Sequence, residues 1–143
     1  MIETDEAILA WMETGLAITR SFLAKMPLYV ERGHHPPAKL TALKRAMFIE
    51  ARVVMAYRQG TSKGLTPEDK VWAAYLYGWA CAQIKQRGNP GSNDDALRGE
   101  FQRLWDVRDA GLVALGLPAY GENFGKGEST DAPLRVPTKD VPT

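Results

Sequence analysis

The chain has 143 residues with 18 Lys and Arg against 17 Asp and Glu, a net charge of +1, so it is sized for one domain and its overall electrostatics selects no class of partner. A single cysteine, Cys81, excludes an internal disulfide and a thiolate zinc set. No apolar run approaches the roughly 20 residues that cross a bilayer, and MIETDEAILAW opens acidic, unlike a signal peptide. These features predict a soluble protein of a reducing compartment, with no membrane partner.

In chain order, Thr4 is placed to cap a first helix that opens with Asp5 and Glu6, both favourable at a positive helix end. Ile8, Trp11, Met12, Gly15, Ile18, Phe22 and Met26 recur at three- and four-residue steps, with Leu9, Leu16 and Leu23 widening the stripe. Pro27 predicts a break or kink at Met26, followed by a turn through Leu28 to Arg32. Gly33, His34, His35 and Pro36 connect to a second helix, from about Pro37 to Arg58, that stops before Gly60.

The stripe of that second helix is Leu40, Leu43, Met47, Ala51, Val54 and Tyr57. Phe48, Val53 and Met55 lie off it, which predicts burial against a second neighbour. Its polar side is basic, with Lys39, Lys44, Arg45, Arg52 and Arg58 facing only Glu50. Such a face is either solvated, its long side chains covering apolar surface, or a contact for an anionic partner through Lys44, Arg45 and Arg52.

The third segment, TPEDKVWAAYLYGWACAQIKQRG, is apolar on nearly every side after its first turn and reads as the central helix. Thr66 suits the N-cap, Pro67 the first helical position, Glu68 and Asp69 the positive end, and Gly88 the stop. Ser92 or Asn93 can cap a fourth helix, whose apolar side is Leu97, Phe101, Leu104, Trp105, Leu112 and Leu115. Gly116, Leu117 and Pro118 form its terminator. The expected fold is all-α, a four-helix bundle-like domain over 1–116 with an extended C-terminal arm over 117–143. That arm is too poor in hydrophobes for a core, yet Leu117, Tyr120, Phe124, Leu134, Val136 and Val141 are spaced along it like anchors for another surface.

No catalytic, cofactor or metal motif is legible. His34 and His35 are adjacent, so in extended chain they point apart, and Cys81 among aromatics reads as an inert thiol. The glycines at 121, 125 and 127 follow no strand and precede no helix, which excludes a phosphate loop. The four tryptophans lie on apolar stripes and read as core.

The run Pro37, Leu40, Met47, Ala51, Tyr57 in a second helix that begins after a proline is similar to the head-to-tail connector (adaptor) proteins of tailed bacteriophages. So is a final helix that ends at a glycine, Gly116, and releases an arm. The long aromatic third helix departs from the smaller members. The resemblance implies a non-enzymatic virion protein, made in the host cytoplasm. It would form a ring of typically twelve copies under the portal protein, contact neck or tail proteins, and surround passing DNA. The arm would reach along the portal or a neighbouring subunit. The alternative expectation is a helical DNA-binding or packaging module using the basic side of the second helix.

Overall fold

The computed structural model describes residues 5–87 and 94–121, with the side chains of 94–97 excepted. Thr4, Gly88, Ser92, Asn93 and the arm residues beyond 121 lie outside the described residues. Four helices follow one another: α1 (Glu6–Glu31), α2 (Pro37–Gln59), α3 (Pro67–Arg87) and α4 (Asp94–Ala114). No strand occurs among the described residues, and none of the described helices is long and apolar enough to cross a membrane.

Helix ends follow from local chemistry. Asp5 rather than Thr4 caps α1, its carboxylate accepting from the backbone N–H of Ala7 at 2.7 Å. At α3, Thr66 and Asp69 exchange side chain-to-backbone bonds of 3.0 and 3.2 Å, a capping box with Asp in the usual Glu position. Gly116 adopts a left-handed φ of 79°, and the N–H of Leu117 bonds back to the carbonyl of Leu112 at 3.0 Å, as the terminator predicts. Of the break or kink expected at Pro27, the break does not occur, the helix being continuous through that residue. Helix α1 runs one turn further, to Glu31, because Met26 is drawn into the core at 2% exposure and Tyr29 packs its ring against His34 and His35. Tertiary burial outweighs the one backbone donor that proline lacks.

Helix α3 packs against each of the other three, whereas α4 rests chiefly on α3. Trp72, Tyr75, Leu76, Trp79 and Ala80 are all buried, so the apolar circumference of this segment is met from several sides. Trp79 takes the ring of Phe101 in a stacked contact and that of Trp11 edge-on. Two glycines let the helices approach. A Cβ on Gly15 would stand 2.8 Å from Leu76 and 3.1 Å from Trp79, and one on Gly78 would stand 2.7 Å from Leu104.

The compact unit reaches past residue 116. Tyr120 is only 5% exposed, its ring set edge-on to Trp72 with centroids 5.0 Å apart, and Leu117 packs against the same core. The first residues of the expected arm are therefore part of the domain.

Candidate functional site

Two neighbouring features gather the residues that the sequence singles out: the outer ridge of α2, and the place where the chain leaves α4. On α2, both candidate arginines are clasped by the first turn of α3. Arg45 donates from Nε and Nη2 to the two oxygens of Glu68 at 2.7 and 2.6 Å, and Arg52 donates likewise to Asp69 at 3.2 and 2.9 Å. These paired forks arise because α3 starts with two acids, wanted there by the helix dipole, beside a ridge that carries two arginines seven residues apart. Arg58 pairs with Glu13 of α1. Lys44 is exposed, while Lys39 is buried and lies 3.3 Å from Nδ1 of His35.

The expected basic face is accordingly not an open patch. Lys39 and Glu50 belong to the interior, and the forks of Arg45 and Arg52 are already engaged although the side chains remain 61% and 53% exposed. An anion would have to displace Glu68 or Asp69 to meet either fork squarely.

Burial tends to push the Asp69 carboxyl up, but the bonds from Arg52 and Thr66 outweigh it and hold the group below its ordinary value. Burial pushes the Cys81 thiol up, with a contact to Tyr77 opposing the shift, so its thiolate is disfavoured. Among the described residues no group of three or more His, Cys, Asp or Glu could hold a metal ion.

The same ridge carries an unexpected apolar surface. Val53 is fully buried, as its position off the stripe predicts, but Phe48 and Met55 are 59% and 54% exposed. Periodicity placed them correctly off the main stripe and wrongly in an interior. The neighbour that covers Val53 does not extend to the outer ridge. Beside Phe48 and Met55, a groove of about 430 Å³ runs between α2 and the 61–65 connection, bordered also by Arg52, Lys63 and Leu65.

The second feature is the root of the C-terminal segment. Asp109 accepts from the backbone N–H groups of Tyr120 and Gly121 at 3.3 and 3.4 Å, and also from Nε of Arg108 at 2.9 Å. Arg108 is fully buried, its guanidinium 4.6 to 5.0 Å from the ring centres of Tyr120, Tyr75 and Trp72. Between this root and α2 lies a smaller cavity of about 210 Å³, lined by Ala42, Arg45, Trp72, Leu112, Leu117 and Tyr120 among others.

Of the six arm anchors, Tyr120 is thus corrected to a core residue, because Trp72 and Arg108 offer it an aromatic and cationic pocket within its own domain. Leu117 is partly buried on the same core. Phe124, Leu134, Val136 and Val141 lie outside the described residues. Sequence reasoning missed Arg108 and Asp109. Arg108 falls in step with Phe101, Leu104, Trp105 and Leu112, and that register was the available sign that a cation was entering the core.

The chain matches no family model, no curated protein and no solved structure.

Proposed function

We propose that this chain is a structural connector subunit of a tailed-phage virion, which assembles as a ring beneath the portal and joins head to tail. Its partners are further copies of itself, the portal protein and adjacent neck or tail proteins, and it has no catalytic role. The observation that supports this reading is the fixed root of the C-terminal segment. Asp109 ties down Tyr120 and Gly121, and Tyr120 is held between Trp72 and Arg108. A passive spacer needs no such anchorage. An arm that must deliver Phe124, Leu134, Val136 and Val141 to a set place on another surface does. From this root, the 22 residues from 122 to 143 span at most roughly 80 Å, enough to reach across a neighbouring domain.

The test is truncation after Gly121. The shortened protein should keep its helical signal and cooperative melting while losing binding to portal rings and incorporation into the neck. Replacing Phe124, Leu134 and Val136 together with Ser should reproduce most of that loss, since a few anchors dominate most interfaces. Normal assembly of the truncated protein would overturn the connector reading.

A further inference from the structure

We propose that the outer ridge of α2 pairs two copies of this chain in antiparallel fashion. Thr41, Arg45, Phe48, Arg52, Met55 and Gln59 are all exposed and follow one another at steps of four and three residues, the spacing of a coiled-coil seam. Their order is self-complementary. About a midpoint at Glu50, Phe48 mirrors Arg52, Arg45 mirrors Met55, and Thr41 mirrors Gln59. Two antiparallel ridges therefore lay each phenyl ring on a guanidinium and each thioether beside another, and the contact closes with two-fold symmetry. A parallel pair would instead stack arginine on arginine.

The clasps of the monomer make this pairing feasible. Asp69 and Glu68 balance the charge of Arg52 and Arg45, so two copies do not meet as bare cations. They also hold both side chains in place before association, which removes an ordering cost from binding and leaves the flat faces of the forks for a ring. The groove bordered by Phe48, Met55 and Leu65 gives the opposing ridge a concave seat. At the flanks, Lys44 of one copy comes toward Arg58 of the other, whose charge is shared with Glu13. Added salt should screen this repulsion and tighten the pair, the reverse of a phosphate-binding surface. The inference does not rest on the connector reading, because a two-fold pair closes on itself whereas a ring needs a different, heterologous contact.

Light scattering of the full chain across a concentration series should show a monomer–dimer equilibrium. Phe48→Ala removes an exposed side chain, spares the fold, and should weaken the pair about tenfold or more, as should Arg52→Ala. In a Cys81→Ser background, Thr41→Cys protein mixed with Gln59→Cys protein should be joined by a short bis-maleimide cross-linker, while neither variant joins to itself. A chain that stays monomeric up to about 1 mM would overturn the proposal. So would a dimer indifferent to Phe48→Ala, or cross-links of residue 41 to 41 and 59 to 59. Loss of portal binding with the pair intact would bear on the connector reading alone.

Discussion

Asp69 holds three parts of the molecule with two oxygens. It receives both donors of Arg52 from α2, closes the capping box with Thr66, and lies buried at the start of α3. Its folded pKa is depressed below the ordinary 3.8, so its contribution is fully present above that value and is lost as pH falls through the lower folded one. Asp69→Asn should cost roughly 1–3 kcal/mol at neutral pH, since it removes a charge-assisted bond from a buried site. It should also flatten the loss of stability on acidification. Urea titrations at neutral pH and near about pH 3 check both effects, and an acid limb as steep in the variant as in the parent would exclude Asp69 as its source. The capping role was legible in the run Thr66, Pro67, Glu68, Asp69, because caps are written in adjacent residues. The Arg52 clasp was not, because it joins positions 17 apart in sequence whose meeting depends on how two helices cross.

At the scale of elements, the four helices were legible, as were the start of α2 at Pro37, the cap of α3 at Thr66 and the stops at Gly60 and Gly116, because periodicity and terminator chemistry act locally. What could not be read is which of two off-stripe hydrophobes has a neighbour. Val53 and Met55 look alike in the sequence, yet one is fully buried and the other more than half exposed. Pro27 misled for a related reason: a local cost is fixed by the residue, whereas the gain from burying Met26 depends on the whole packing. Close helix contact produces a further prediction. Gly15 sits where α1 meets α3, and an added methyl would press on Leu76 and on the enclosed ring of Trp79. Gly15→Ala should therefore destabilise by about 1–3 kcal/mol, even though alanine is intrinsically the better helix former. Chemical denaturation decides it, and a gain in stability would mean that the α1–α3 contact is looser than described.

For the whole molecule, the boundary of the domain governs what can be removed. The composition change at Leu117 suggested that everything after Gly116 is arm, and composition cannot reveal that one tyrosine from that stretch completes the core. Truncation after Gly116 should accordingly cost roughly 3–5 kcal/mol, comparable to deleting a buried aromatic, while truncation after Gly121 should change stability by less than about 1 kcal/mol. Thermal melts of the two proteins side by side provide the comparison. Equal losses would place the boundary elsewhere. Truncation after Gly121 leaves the α2 ridge untouched, whereas truncation after Gly116 also opens the cavity that Arg45 borders.

Helix α4 leans chiefly on α3, and the turn that follows it is fastened by Tyr120 and Asp109. Such an element is a natural unit of sub-global opening, able to swing away while α1, α2 and α3 stay associated. Amide hydrogen exchange should then reveal two tiers, with the amides of α4 released at a lower opening free energy than those in the middle of α3. Tyr120→Ala should lower the α4 tier by more than it lowers the other, because the ring acts as the catch on that hinge. A uniform drop across all four helices would show instead that the domain opens only as one.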